Sequence, residues 1–422
     1  MNCTAAALAL ASFSACMLAT AHADDSPNHG DAVRGITIGP IESSQQAGRG
    51  YGTEYTEVLL DELVRLGANA ISITPFGRIW SLRSSEILHD FEAPFAANRA
   101  AIGRLIAQAK ARGLSVLLIP HLWVETGGWR GEMDPGSPEA WQAYQQSYRD
   151  FVLTWARAGE ELGADVFSIG VECKSWSGRF GDYWLSLIAD TRATFTGKLT
   201  YSANWDEAEN VLFWDALDYV GINAFYPLAA NDGASYAQYA EGAERAVASA
   251  VALGQLVAKP VLFVEIGYTT RPNAAVEPWL WPDDMQHVVV DEWEQARALS
   301  ALLGAAVSRR ELAGVFLWRY YANLDDVSQE AAWGFSPHGK LAERALAAVF
   351  RQRWAADSDP AQRALQPAWI RKRWRAPTSV GSDYSRITMP SLVDRYWSSA
   401  PPATRPSPRT PGSSGRGSND MK

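Results

Sequence analysis

The chain alternates short apolar runs with longer amphipathic stretches from residue 35 to about residue 353, and this alternation restricts the possible folds more than any other feature. Eight runs are nearly continuous in apolar residues, which is typical of strands buried on both faces. They are residues 35–40, 68–76, 115–123, 164–172, 198–204, 217–225, 259–268 and 312–321. Helical periodicity occupies residues 54–66, 98–112, 138–162, 183–195, 236–253, 291–309 and 341–353. Only about a dozen residues separate the fifth and sixth runs, so the helix prediction is weakest there.

Eight alternating βα units in roughly 320 residues predict an α/β fold, a single (β/α)8 TIM barrel over residues 31–355. The alternative is an open, doubly wound sheet. Such a sheet would normally show a Gly-rich phosphate-binding loop after its first strand, whereas this chain has Gly39-Pro40-Ile41-Glu42 there. The barrel is therefore favoured.

Two segments of different composition flank the predicted barrel. Residues 1–23 have a small apolar core and end in Ala21-His22-Ala23, which predicts a signal peptide and export to the periplasm or the medium. Lipidation at Cys16 is the lesser alternative. Residues 356–422 are rich in Pro, Ser and Arg, and we expect a basic, largely disordered tail. Its stretch 369–375 either touches an acidic surface or packs its two tryptophans on the barrel.

Charge and motif content exclude several classes of function. The net charge of -9 disfavours a general nucleic-acid binder. No apolar run after residue 30 approaches the ~20 residues of a membrane span, so we expect no membrane-spanning helix in the body of the protein. We also expect a monomer. The chain has no HExxH, GxSxG or P-loop motif, which predicts no metal and no cofactor.

Two glutamates end predicted strands on what should be one rim of the barrel. Glu172 closes the fourth run and Glu265 lies near the end of the seventh, where an unpaired carboxylate would be costly to bury. Paired carboxylates suit glycoside hydrolysis, because one protonates the leaving oxygen while the other attacks the anomeric carbon. The alternatives are structural pairing with Arg319 or Lys174, and a thiol nucleophile at Cys173.

The other polar and aromatic residues near the strand ends suit sugar recognition. Imidazole and amide groups can hydrogen-bond hydroxyls, and indole rings pack on sugar faces. The candidate substrate-binding residues are His121, Trp123, Trp129, Asn204, Trp205, Asn223, Tyr226, Trp281, Trp318 and Arg319. Trp141, Trp155, Trp184 and Trp293 fall within predicted helices and are expected to be packing residues.

Seven sequence blocks, in order along residues 120–340, are similar to glycoside hydrolase family 113, a β-1,4-mannanase family of clan A. They are PHLW (120–123), GWRGE (128–132), FSIGVE (167–172), LTYSANWD (199–206), FWDALDYVGINA (213–224), KPVLFVEIGY (259–268) and SPHGK (336–340). The resemblance implies a retaining β-glycosidase with Glu172 as acid/base and Glu265 as nucleophile. On the last strand the family pattern resembles Trp-Lys-Trp, and this chain has Trp318-Arg319-Tyr320.

The substrate implied by this resemblance is a polysaccharide or oligosaccharide, and β-1,4-mannan is the favoured one. The same mechanism on another β-glycan, and a carbohydrate-binding barrel without turnover, are the alternatives. Two finer expectations concern the glutamates. Partial burial and a like charge nearby should raise the pKa of Glu172, and the Tyr226 hydroxyl should donate a hydrogen bond to Glu265.

Overall fold

The eight predicted strands close into a barrel in the computed structural model, which describes residues 31–39, 48–90, 93–280, 287–325 and 330–357. The strands are β1 (Val33–Gly39), β2 (Ala70–Ile73), β3 (Phe76–Ile79), β4 (Ser115–Leu118), β5 (His121–Val124), β6 (Val166–Val171), β7 (Lys198–Asn204), β8 (Val220–Asn223), β9 (Val261–Ile266) and β10 (Leu312–Tyr321). The barrel order is β1-β10-β9-β8-β7-β6-β4-β2, every pairing is parallel, and β2 returns to β1. The predicted (β/α)8 barrel is therefore confirmed.

Two of the predicted runs, 68–76 and 115–123, are each broken in two near a proline. Pro75 and Pro120 have no N–H to donate, so the barrel strand ends before each of them. The chain resumes as β3 and β5, which pair in parallel as a separate two-stranded sheet with Phe76 opposite His121. The N–H of His121 donates to the Pro75 carbonyl at 2.7 Å. The prediction of single strands was wrong here, and the break places His121 and Trp123 beyond the carboxyl ends of β2 and β4.

Seven helices of ten or more residues lie in the described part of the chain. They are α1 (Glu54–Leu66), α2 (Phe95–Ala111), α3 (Pro138–Leu162), α5 (Gly181–Thr194), α6 (Tyr236–Leu256), α7 (Glu292–Val307) and α8 (Leu341–Phe350), and a single turn, α4 (Lys174–Ser177), follows β6. The predicted bounds of α1 and α3 are confirmed. In α3 the Ser137 hydroxyl accepts the Ala140 N–H at 3.2 Å, and Gly163 ends the helix with φ +84°. Between β7 and β8 there are only two 3-10 turns, Ala208–Asn210 and Trp214–Ala216.

Much of the tryptophan content is used for packing beneath the rim of the barrel. Trp155 and Trp184 are fully buried, and Trp141 is 6% exposed, which confirms them as packing residues. The Trp184 ring stacks on Phe213 at 4.8 Å and meets the Tyr201 ring at 5.6 Å. This aromatic cluster lies between α3, α5 and the ends of β6 and β7, and so supports the backbone at Glu172 from outside the barrel.

The described residues belong to the first of two units of the chain, Met1–Leu365, and the second unit, Gln366–Lys422, lies outside them. The predicted signal peptide, Cys16 and the predicted tail beyond residue 357 also lie outside the described residues. Among the described helices, none has the length and apolar character that crossing a membrane would require.

A buried ion pair fastens the last described residues to the first strand. Arg34 Nη2 lies 2.6 Å from Asp357 Oδ2, and both side chains are at most 5% exposed. The same carboxylate accepts the N–H groups of Ala32 at 2.9 Å and Trp354 at 2.8 Å. Removal of one partner would leave a buried charge and two amides without partners.

We therefore expect Asp357→Ala to lower the free energy of unfolding by about 3–5 kcal/mol. The matched control is Asp134→Ala, because the Arg83–Asp134 pair is 2.9 Å long but its side chains are 70% and 50% exposed. That change should cost less than about 1 kcal/mol. Urea unfolding followed by circular dichroism measures both, and equal losses would contradict the role given to the buried pair.

Candidate active site

Glu172 and Glu265 lie on one rim of the barrel, at the carboxyl ends of β6 and β9. Glu172 is 9% exposed and Glu265 is 4% exposed. Asn223 ends β8 and pairs in register with Glu265 on the adjacent strand. Its Nδ2 atom donates to Oε1 of Glu172 at 3.1 Å. Asn223 is therefore a neighbour of both carboxylates. This agrees with the expectation that residues at the carboxyl ends of barrel strands meet at one rim.

The Glu172 carboxylate is held by donors from the loop that follows β5. Trp129 Nε1 donates to Oε2 at 2.9 Å, and Arg130 Nη1 lies 3.6 Å from the same oxygen. Two consecutive glycines, Gly127 with φ +80° and Gly128 with φ +101°, make the turn that brings this loop back over the barrel. The Glu172 carboxylate therefore has three polar contacts from two different elements.

The backbone at Glu172 adopts a conformation that glutamate rarely takes. Its φ is +50°, in the left-handed region, directly after the last residue of β6. The Glu172 N–H still donates to the carbonyl of Ser202 on β7, at 2.8 Å. This geometry turns the side chain at the strand end, and such outliers concentrate at functional sites.

Glu265 lies beside a neutral histidine. His121 Nε2 is 3.3 Å from Glu265 Oε1. Burial, followed by the charges of Arg130 and Arg319, holds the pKa of His121 well below its usual range. Arg130 Nη2 is 3.3 Å from Nδ1 of the ring. Because a guanidinium only donates, we assign Nδ1 as the acceptor and place the proton on Nε2, facing Glu265.

Three buried polar atoms around the glutamates remain open. They are His121 Nε2, Glu265 Oε1 and Asn223 Oδ1, and none has a well-aligned hydrogen-bond partner in the described part of the chain. The contact between His121 and Glu265 is thus close in distance but poorly aligned. Buried polar atoms are normally satisfied, so open ones at a barrel rim indicate a place for a ligand with hydroxyl groups.

Glu265 is the more deeply buried of the two glutamates, at 4% exposed against 9% for Glu172. Burial, and after it the charge of Glu172, raise the pKa of Glu265 well above its usual range. The guanidinium groups of Arg130 and Arg319 oppose this shift.

This shift predicts how pH and Glu265 together affect stability. A raised pKa in the folded state means that folding favours the protonated carboxyl. The corresponding stability is present below the unfolded pKa of about 4.3 and is lost as pH rises through the folded pKa. We therefore expect Glu265→Gln to raise the melting temperature at pH 8, with the difference shrinking toward pH 4. Thermal unfolding across this range measures it, and a variant less stable than the parent at pH 8 would refute the interpretation.

The predicted hydrogen bond from Tyr226 to Glu265 is absent. Within the described residues the Tyr226 hydroxyl has no such partner. Tyr226 instead lines a cavity of about 240 Å³ together with Trp205 and Glu209. Its ring packs against Trp205 at 5.7 Å and Phe263 at 6.1 Å. Tyr226 lies three residues beyond the end of β8, where the backbone direction is no longer set by the strand, and His121 stands beside Glu265 instead.

Trp318 and Arg319 form the wall of the site on β10. The Trp318 ring is stacked on His121 with centroids 5.9 Å apart and an interplanar angle of 18°. The Arg319 guanidinium lies 4.9 Å from the centre of the Trp318 ring and donates to the Tyr321 hydroxyl at 2.6 Å. The peptide bond between Trp318 and Arg319 is cis.

Arg319 and Lys174 were the alternative, purely structural partners of the two glutamates, and neither forms an ion pair with Glu172 or Glu265 in the described part of the chain. Arg319 is bonded to Tyr321, and Lys174 Nζ pairs with Asp206 Oδ2 at 2.5 Å. Cys173 is also unsuited as a nucleophile, because burial, followed by the charge of Glu207, raises the pKa of its thiol to about 12. The contacts of these residues therefore do not support either alternative.

The other candidate residues lie farther out or outside the described chain. The Trp205 ring stacks on Trp279 at 5.6 Å, and Trp123 is 48% exposed on β5. Asn204 donates to Asp206 at 3.0 Å, so its amide is turned away from the glutamates. Trp281 lies outside the described residues. Among the described residues, no group of three or more His, Cys, Asp or Glu side chains could hold a metal ion.

Sequence reasoning missed two residues near the site, Arg130 and Glu207. Arg130 belongs to the GWRGE block, and its charge acts on His121 and on Glu265. That block was a signal that could have identified it. Glu207 follows β7, is 1% exposed, and has no motif that marks it.

Two glutamates and several open polar atoms at the mouth of a (β/α)8 barrel are the arrangement that a glycoside hydrolase requires. The sequence model of glycoside hydrolase family 113 matches residues 43–340. The chain belongs to this family. A search of the curated proteins found no match.

Solved structures give the same assignment. A complex of a GH113 β-1,4-mannanase is 25% identical, with a TM-score of 0.65 over 76% of this chain and 100% of that chain. A GH113 β-mannanase from Alicyclobacillus acidocaldarius in complex with ManMIm is also 25% identical, with a TM-score of 0.65 over 76% and 97% of the two chains. A family 5 mannosidase from Rhizomucor miehei shares the fold, at 12% identity and a TM-score of 0.52 over 76% and 92%.

Proposed function

We propose that the protein is a retaining β-glycosidase that cleaves β-1,4-mannan by double displacement, with Glu172 as acid/base and Glu265 as nucleophile. The observation that carries this proposal is the shared environment of the two carboxylates, in which Asn223 contacts Glu172 and is the register partner of Glu265. The β-1,4-mannanases among its structural neighbours support the choice of polysaccharide.

The first step forms a bond between a Glu265 oxygen and the anomeric carbon while the glycosidic bond breaks. The proton of Glu172 goes to the departing oxygen, so the leaving group departs as an alcohol. In the second step Glu172 takes a proton from water, whose oxygen displaces Glu265 from the anomeric carbon. The two inversions give net retention.

The surroundings of each glutamate fit its proposed role. Glu172 accepts from Trp129 and Asn223, which fixes the direction of its carboxyl at both oxygens. Glu265 must be ionised when it attacks, and its burial acts against this. Arg130, Arg319 and the N–H of His121 supply the opposing positive charge and a nearby donor. These groups reduce the cost of ionising Glu265 without cancelling the effect of its burial.

Substrate binding is assigned to the open polar atoms and the aromatic walls. His121 and Asn223 would bond hydroxyls of the sugar next to Glu265, and Trp318 would pack against its ring. The half-exposed Trp123 and the stacked Trp205 would contact sugars farther along the polymer. Asn204, Tyr226 and Trp281 complete the proposed set of substrate-binding residues.

We also propose that the enzyme is exported and acts on its polysaccharide outside the cytoplasm. The support is the small apolar leader with its Ala21-His22-Ala23 ending.

Mannan, glucan, xylan and chitin-like oligomers should be screened for products, and the first product followed by proton NMR. We expect hydrolysis of β-1,4-mannan, with the β-anomer appearing before mutarotation. An α-anomer as first product would overturn the retaining mechanism. Cleavage of another β-glycan alone would change the substrate, and binding without cleavage of any would leave a carbohydrate-binding barrel.

A further inference from the structure

A buried tyrosine–carboxylate pair lies directly behind Glu172. Tyr201 on β7 is fully buried, and Glu207, just after β7, is 1% exposed. The Tyr201 hydroxyl donates to Oε1 of Glu207. The second oxygen, Oε2, accepts the N–H of Asn204 at 3.1 Å. The double displacement uses neither side chain, so a buried carboxylate beside the site needs another explanation.

The pair is bonded to the backbone that carries Glu172. The Tyr201 hydroxyl accepts the N–H of Cys173 at 2.7 Å. The N–H of Glu172 itself donates to Ser202 O at 2.8 Å. Two successive amides of the turn are therefore held by β7. Because the left-handed φ of +50° at Glu172 is unfavourable for glutamate, it persists only where neighbouring contacts determine it.

The Glu207 carboxylate is the acceptor in its hydrogen bonds with Tyr201 and Asn204. A phenol has one proton, and here its oxygen already accepts an amide N–H. Oε1 of Glu207 receives this proton, and Oε2 receives the Asn204 amide. Packing leaves little freedom, since a Cβ added to Gly170 would lie 2.6 Å from the Tyr148 hydroxyl and 3.0 Å from the Tyr201 ring.

We propose that Tyr201 and Glu207 are positioning residues that fix the backbone turn at Glu172 and thereby aim its carboxyl at the leaving oxygen. This inference rests on the acid/base role proposed for Glu172. Neither side chain touches the substrate. Their effect reaches the reaction only through the Cys173 amide and the conformation of Glu172.

The test compares variants on two aryl β-glycosides of the sugar that the enzyme hydrolyses, one with a dinitrophenol and one with a phenol leaving group. Tyr201→Phe removes one oxygen and keeps the ring packed against Trp184 and Phe213. Glu207→Gln places an NH2 group against either the phenol or the Asn204 amide. We expect both variants to lose about 10- to 100-fold in kcat/KM on the phenyl substrate, as for a slightly misplaced group. The loss on the dinitrophenyl substrate should be under about threefold, because that leaving group needs little protonation.

Tyr239→Phe is the matched control. Its hydroxyl donates to Glu294 at 2.8 Å, and this pair is equally buried but lies between α6 and α7. It should affect the two substrates alike. Should Glu207→Gln fail to fold, as judged by circular dichroism, Tyr201→Phe decides alone.

Equal losses on both substrates for Tyr201→Phe would show a purely structural role and overturn the inference. Glu172→Ala, measured in parallel, separates this failure from failure of the proposed function. If Glu172→Ala shows the leaving-group dependence and Tyr201→Phe does not, only the positioning role is refuted. If Glu172→Ala shows none, the acid/base assignment and this inference fall together.

Discussion

Replacing Glu172 with alanine is expected to slow hydrolysis of substrates with poor leaving groups by about 10²- to 10⁴-fold, the usual contribution of a general acid. Formation of the glycosyl intermediate from a dinitrophenyl glycoside should be much less affected, because dinitrophenolate departs without a proton. The second step then lacks its base. Added azide needs no base, so it should restore turnover and yield a β-glycosyl azide.

Steady-state and burst kinetics on the two classes of substrate measure this effect. Glu132→Ala is the control, because Glu132 is an exposed acid in the same loop as Trp129. It should leave both rates near those of the parent. Equal loss on good and poor leaving groups, with no azide product, would show that Glu172 is not the acid/base.

Glu265→Ala should abolish turnover regardless of the leaving group. Loss of a covalent nucleophile removes the attacking atom itself, and we expect a decrease of at least on the order of 10⁴-fold on every substrate. Azide can occupy the space of the missing carboxylate and attack once, which gives an α-glycosyl azide. The opposite anomer from the two variants distinguishes the two roles without knowledge of the sugar.

Glycosidic bond cleavage by Glu265→Ala at a rate comparable to that of the parent would contradict the nucleophile assignment. Loss of activity through unfolding is separable, because Glu265→Gln is expected to be at least as stable as the parent at neutral pH. Its melting curve therefore serves as the folding control for this position.

The barrel could be predicted because its period is long and regular. Residues 198–204 and 312–321 match β7 and β10 at both ends. The two broken runs escaped prediction because proline interrupts pairing without interrupting hydrophobicity. Pro75 and Pro120 thus divided strands that read as continuous.

The site residues that could be predicted are those whose positions are set by the ends of the strands. The strand ends brought Glu172, Glu265 and Asn223 to one rim, and His121 reached it through the β5 extension. Tyr226 failed because it lies in a loop, where spacing does not determine the direction of a side chain.

The depth of burial of each side chain and the direction of its hydrogen bonds could not be predicted from the sequence. The raised pKa of Glu265 depends on its burial and on a neighbour 93 positions earlier in the chain, Glu172. The pairing of Tyr201 with Glu207 depends on the path of the turn after β7. Such features follow from the packing of distant segments and appear only in three dimensions.

The covalent intermediate is the most direct test of the account. The protein should be incubated with a 2-deoxy-2-fluoro β-glycoside carrying a dinitrophenyl leaving group, digested, and its peptides weighed by mass spectrometry. We expect one fluorosugar on the peptide that contains Glu265, and none when Glu265→Gln is treated in the same way. A label on Glu172 or elsewhere, or hydrolysis of the reagent with an α-anomer and no labelled peptide, would contradict the assignment of Glu265 as the nucleophile of a retaining enzyme.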